Sequence, residues 1–281
     1  MAALNTYKYD EDVMTSARER GLILAKENPH IVMAFRIYRK AVQFQMKDDT
    51  KTALGLFSVL VAYMGTDPYI WIRMTECSLD IMCADYKKWS KQSRPNFKPV
   101  LVDPVTNNGI FIVSEKEPKV YETGNVNLAL AESYIATAMT LLNASTDVDL
   151  KMKVKNLAAF VAMKRRRFEV AVGYAKTVLE KSEGEYNEVK RQALMVTMES
   201  RIYQGRYEDV KDMLSLELPF SEDTEWKIWK AKCYSHIGLK DEAAKIIEEL
   251  KDYQDRMDVY VLSLSVFKKT KQEENLLNLI S

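Results

Sequence analysis

An alanine, an apolar residue four positions on and another three beyond that recur along this chain at nearly regular intervals. Ala53, Phe57 and Leu60 set the pattern, continued by Met64, and Ala131, Ile135 and Ala138 repeat it. Ala171, Ala175 and Val178 follow, beside Tyr174 and Leu179, and Ala243, Ile247 and Leu250 fit all three positions again. Val210 and Leu214 keep two of the three, with Glu217 at the last, and Ala17, Gly21 and Leu24 form a weaker early copy. Steps of four and three place each trio on one face of a helix. The lead residues are 36 apart from Ala17 to Ala53, 40 from Ala131 to Ala171, 39 to Val210, 33 to Ala243, and 33 more to Leu276 in the segment Glu273–Ile280. A tetratricopeptide array repeats every ~34 residues, one helix pair per repeat. The rhythm predicts stacked helix pairs, with each trio on the second helix of its pair.

Other positions keep the same register. Gly205-Arg206-Tyr207 and Gly238-Leu239-Lys240 each begin five residues before a lead residue, where the two helices of a pair must turn. Glycine tolerates the positive φ of such a turn. Ala231 with Tyr234, and Ala41 with Phe44, sit where a first helix carries a small and an aromatic residue. Asp67-Pro68 and Asn28-Pro29 read as helix starts, a capping side chain followed by proline in the first turn. With 9 Gly and 7 Pro in 281 residues, tight turns are few, which favours helices on short connections over an all-β fold. The first repeat is expected to begin with its second helix.

Between Ala53 and Ala131 the spacing is 78 residues, more than one repeat needs. The excess falls at 89–124, which holds Pro95, Pro99, Pro104 and Pro118 and the turn signals Asp103-Pro104 and Asn107-Asn108-Gly109. Val100-Leu101-Val102 and Ile110-Phe111-Ile112-Val113 flank those turns and read as a small β-hairpin or an extended arm. The expected fold is all-α, a tetratricopeptide-like helical-repeat solenoid of about six helix pairs with a small β-like insert. Its segments are N-terminal repeats over 1–90, the insert over 91–124, and C-terminal repeats over 125–281, forming one continuous solenoid with a concave surface.

The run Ala53–Asp80 resembles the matching repeat of the subunit-ten family of the carbon-catabolite-repression/NOT (Ccr-Not) deadenylase complex. That family has an alanine-led helix, a short proline-marked turn, and then a (Leu/Ile)-Trp-(Leu/Ile)-Arg-x-x-Glu-Cys helix. Here Ile70-Trp71-Ile72-Arg73-Met74-Thr75-Glu76-Cys77 has that form. A β-like segment resembling Gly109–Val113 follows in the family, then an alanine-rich helix resembling Ala129–Leu142, and the order continues through Leu157 to Pro219. The resemblance covers roughly residues 30–250. It departs from the family's pattern in a shorter N-terminal part and in lacking long low-complexity inserts. It implies a non-catalytic scaffold that binds its neighbour, subunit eleven, and through it the central scaffold of a complex that shortens messenger-RNA tails. It also implies a role in mRNA decay, translation regulation and RNA-mediated silencing, and residence in cytoplasm and nucleus.

The residues themselves offer little chemistry. The two histidines, His30 and His236, have no neighbouring nucleophile or paired ligand, and neither a glycine-rich phosphate loop nor metal-ligand spacing is present. No enzymatic activity, cofactor or metal is expected. Cys77, Cys83 and Cys233 form no Cys-x-x-Cys pair and read as reduced structural thiols. Residues 1–30 are charged and lack an apolar run, so no secretory signal is expected. The longest apolar-rich stretch, Ala53–Met64, is too short for a membrane span. A formal net charge of +1 gives no overall pull toward nucleic acid or membrane.

Five groups are candidates for partner contact. In and beside the insert, Trp89, Phe97, Gly109, Ile110, Phe111 and Val113 would form a partner arm, since loops longer than ~15 residues in compact folds are often functional. A basic run, Lys164, Arg165, Arg166 and Arg167, follows Lys151, Lys153 and Lys155. A second basic group, Lys87, Lys88, Lys91, Arg94 and Lys98, surrounds Trp89 and Phe97. Cations among aromatics would suit single-stranded RNA, an acidic protein surface or plain solvent, so an RNA-binding repeat protein is the second reading. A generic peptide-binding adaptor is the third, with Arg36, Arg39 and Arg73 as a carboxylate clamp. Trp226 and Trp229, three apart on one helical side, read as core packing, with a partner hot spot as the alternative.

Overall fold

The computed structural model of the chain describes residues 29–90, 100–101, 110–111, 123–143, 145–181, 188–216, 222–253 and 256–270. Among them are eleven α-helices: α1 (Pro29–Met46), α2 (Thr50–Met64), α3 (Pro68–Ser90), α4 (Thr123–Leu142), α5 (Val148–Lys164), α6 (Phe168–Lys181), α7 (Glu188–Tyr203), α8 (Tyr207–Leu214), α9 (Thr224–Ile237), α10 (Lys240–Glu249) and α11 (Met257–Thr270). Two short strands, β1 (Val100–Leu101) and β2 (Ile110–Phe111), lie between α3 and α4. They pair antiparallel, Val100 opposite Phe111 and Leu101 opposite Ile110. The fold is the all-α helical-repeat fold that the spacing predicts, with the small β element inside the insert.

Burial follows the trios. Ala53, Ala131, Ala171, Val210 and Ala243 are all fully buried, as are Phe57, Leu60, Ala175, Val178 and Ile247. A small residue suits a position buried this completely, because a longer side chain would overpack the contact. The early copy at Ala17, the position of Glu217 and the segment Glu273–Ile280 lie outside the described residues.

The joints within pairs are equally regular. Among the described residues four adopt positive φ: Asp48 (60°), Arg166 (59°), Gly205 (72°) and Gly238 (88°). Each stands five residues before its lead residue, at Ala53, Ala171, Val210 and Ala243. The glycines were legible as turns. Asp48 and Arg166 take the same left-handed conformation at a cost of ~1–2 kcal/mol for a side chain with a Cβ. Ahead of Ala131 the insert replaces this turn.

Helix starts are capped by aspartates. Asp49 Oδ1 accepts from the Thr52 amide at 3.3 Å, and Asp147 Oδ1 from Leu150 at 2.9 Å. Asp223 Oδ1 accepts from Glu225 at 2.8 Å. Asp67 Oδ1 accepts from the Tyr69 amide at 2.9 Å, with Pro68 as the first residue of α3, as its sequence predicts. Such caps satisfy amides that have no partner inside the helix, each worth ~1 kcal/mol.

The chain forms two compact units, Met1–Cys83 with Val120–Gly205, and Ala84–Lys119 with Arg206–Ser281. In the first, α1, α2 and α3 share a core around Tyr38, Phe57, Leu60, Ile70 and Met74, with Tyr38 edge-on to Phe57 at 5.8 Å. A second core runs from α3 to α7 through Leu79, Ile135, Leu157, Phe160 and Val178. In the other unit, Ala231, Ala243, Ala244, Ile247, Leu262 and Val266 join α9, α10 and α11. Trp226 and Trp229 are both buried and stack at 5.1 Å, which places them in the core as their spacing predicts.

Candidate functional site

The run Ile70–Cys77 lies within the first three turns of α3, and its conspicuous residues build the interior. The Trp71 indole donates to the Gly65 carbonyl at 2.8 Å and meets the Tyr134 ring of α4 at 6.0 Å. Trp71 therefore ties the α2–α3 turn to the next helix pair. Arg73 and Glu76 form a buried pair at 3.1 Å, and Gln45 of α1 donates to the same carboxylate at 3.1 Å. Burial pushes the Glu76 carboxyl above its ordinary range, opposed by Arg73 and by the Gln45 hydrogen bond. The Tyr38 phenol is also raised by burial, with Arg73 working against the shift. Cys77 is fully buried and its thiol is pushed well up, which keeps it protonated and a poor nucleophile. Cys233 is buried too.

The clamp trio separates. Arg73 is committed to the interior with Glu76. Arg36 and Arg39 are exposed on α1. The clamp reading takes in those two but leaves out Lys40, Met33 and Met46, which are exposed on the same helix. The signal that marks them is visible in the sequence: from Pro29 to Met46 no acidic residue occurs.

The basic run 164–167 is matched by acids one repeat away. The Arg165 Nε donates to Glu132 Oε2 at 3.1 Å, and the Arg167 guanidinium bonds the other oxygen of the same carboxylate. The Lys164 ammonium meets Glu199 at 3.2 Å and lies over the Phe160 ring at 5.1 Å. Arg166 is the left-handed turn residue between α5 and α6. Three of the four cations thus link neighbouring helix pairs, and the fourth is set by the turn. A similar tie follows one repeat on, where Arg201 and Gln204 both donate to Glu169, at 3.1 and 2.8 Å. Upstream, Lys153 pairs with Asp149 at 2.7 Å and Lys151 donates to the Asn143 carbonyl at 3.2 Å.

Of the partner-arm residues, Ile110 and Phe111 form β2. Trp89 stands in the last turn of α3. Phe97, Gly109 and Val113 lie outside the described residues, as do Lys91, Arg94 and Lys98. His236 is exposed in the last turn of α9. No group of three or more His, Cys, Asp or Glu side chains among the described residues is placed to hold a metal. None of the described helices is long and apolar enough to cross a membrane. No family model matches the chain, and none of the curated proteins matches it.

Proposed function

We propose that this chain is a non-catalytic scaffold that holds partner protein subunits, in the role of subunit ten of the Ccr-Not deadenylase complex. On this reading it contacts subunit eleven and, through it, the central scaffold, and so takes part in mRNA decay in cytoplasm and nucleus. The observation that carries the proposal is the run Ile70–Cys77 at the heart of a helical-repeat fold. Trp71, Arg73, Glu76 and Cys77 are each used for packing between helices. A motif spent on stacking belongs to a protein that works through its surfaces, as repeat folds generally do. The RNA-binding reading has less support, because the run at 164–167 already has Glu132 and Glu199 as partners.

Affinity purification of the tagged chain from cells, with mass spectrometry, tests this against a deletion of 91–122. Recovery of deadenylase subunits, lost on deletion, is the expected result and would place the contact in the insert. Recovery unaffected by deletion keeps the scaffold and moves the contact to the helices. Absence of those subunits from both samples overturns the proposal.

A further inference from the structure

The outward face of α1 differs from the other basic regions described above. Met33, Arg36, Lys40, Gln43 and Lys47 follow one another at steps of three and four, with Arg39 and Met46 alongside. That spacing makes a single stripe along the helix. All seven side chains are exposed, Met33 to 56% and Met46 to 66%. At ~1.5 Å per residue the stripe is about 21 Å long. Arg36 and Arg39 have no carboxylate partner among the described residues, and the ammonium of Lys40 only overlies the Phe44 ring, 6.0 Å from its centre. Elsewhere Lys164, Arg165, Arg167, Arg201, Lys227 and Arg256 all meet acids.

We propose that this stripe is a docking strip for an acidic, amphipathic protein segment. The proposal rests on the scaffold reading above and names the chemistry of what is held. Three cations within little more than one turn leave a concentrated positive charge that nothing in the described structure offsets. Such a charge steers an acidic segment toward it and fixes its register. The exposed methionines at the two ends supply soft apolar contacts that adapt to a partner's side chains. A nucleic acid fits less well. Base stacking needs exposed aromatic faces, and the aromatic residues on this helix, Phe35, Tyr38 and Phe44, are buried or half-buried.

The test uses the full chain and a fluorescein-labelled helical peptide of about 14 residues, the length of the strip. Its glutamates sit at i, i+3, i+4 and i+7, with leucines at both ends, and a control peptide carries glutamines in their place. Fluorescence anisotropy should show the glutamate peptide bound about tenfold or more tightly than the control, with affinity falling as salt rises. The triple variant Arg36→Gln, Arg39→Gln, Lys40→Gln should lose that advantage, since each exposed charge pair contributes little alone and three together amount to about tenfold. Circular dichroism checks that the variant is folded. A double variant, Arg36→Glu with Lys40→Glu, should gain affinity for a lysine version of the peptide.

Equal affinity for the two peptides, or binding indifferent to the triple variant, overturns the strip. So does a single-stranded oligonucleotide that binds more tightly than the peptide and depends on the same three residues. Peptide binding that appears only after Asp10→Asn, Glu11→Gln and Asp12→Asn would make the chain's own N-terminal segment the occupant and overturn an external partner. If the triple variant still recovers deadenylase subunits while the peptide fails, the strip falls and the scaffold reading stands. If the peptide behaves as expected and no such subunits are recovered, the scaffold assignment falls and the strip stands.

Discussion

In α5 every residue from Asn156 to Met163 is buried, whereas in the α6 that follows burial falls on Ala171, Val172, Ala175 and Val178 alone. The contrast recurs along the chain. Arg191–Met198 of α7 is an unbroken buried run, and α8 buries only Val210 and Leu214. In these two pairs the first helix is enclosed on several sides and the second turns one face inward and one to solvent, whereas α1 buries only Ala34, Tyr38, Ala41 and Val42. Within these pairs stability should therefore be concentrated in the first helix, and the second should tolerate change except at its lead residues.

The largest expected effect tests that directly. Phe160→Ala in α5 empties a fully buried site and should cost about 3–5 kcal/mol, read by urea denaturation. A loss below about 1 kcal/mol would mean α5 is far less tightly enclosed than its burial implies. Next comes Asn156→Ala. The Asn156 amide donates to the Val189 carbonyl at 3.1 Å and to Gln192 Oε1 at 3.0 Å, joining two first helices. Removing it strands buried acceptors and should cost about 1–3 kcal/mol. Asn156→Asp, which keeps the shape but removes the donor, should be no milder.

The joints between the two kinds of helix come third. Gly205→Ala should lose about 1–2 kcal/mol through its φ alone, since a Cβ there would meet no other atom within 4 Å. Arg166→Gly should change stability in the opposite direction, by up to about 1 kcal/mol, because it relieves the same conformation. Both would register in thermal melts, and a loss in Arg166→Gly would mean its side chain does more than turn the chain. Smaller again is Glu132→Gln, which removes the negative charge that Arg165 and Arg167 share and leaves one acceptor oxygen in place of two. About 1 kcal/mol at low salt, fading at high salt, is the expected signature of a half-exposed ion-pair cluster. The smallest is Val170→Ala on the outer face of α6, 48% exposed, which should stay within about 0.5 kcal/mol.

The same contrast explains what could be read before the structure. Second helices announce themselves because one inward face gives Ala171, Ala175 and Val178 a clear period. The enclosed first helices α5 and α7 do not, since a run buried on nearly every side, as in Leu157-Ala158-Ala159-Phe160, carries no period to detect. The glycine joints were legible by residue type, but Asp48 and Arg166 take the same conformation without the residue that signals it. The basic run 164–167 looks like a surface patch in sequence because its acids, Glu132 and Glu199, lie about one repeat away, a separation only stacking closes. The α1 strip has no such distant acid among the described residues. Its acid-free run was visible, yet that Arg73 would turn inward while Arg36 and Arg39 face out depends on packing that a charge count does not contain.

Two or three residues join the helices of a pair at 47–49, 165–167, 204–206 and 238–239, and thirty-two do so at 91–122. Lengthening a connection costs only about 0.6 kcal/mol per doubling in chain entropy, so the step from three residues to thirty-two amounts to roughly 2 kcal/mol. A protein built this way has natural grafting points: a reporter, an epitope or a small folded cargo spliced at Gly238 should be tolerated there, as a connection of thirty-two residues is between α3 and α4. Accessory modules can be exchanged at such points without rewriting the repeats that carry them.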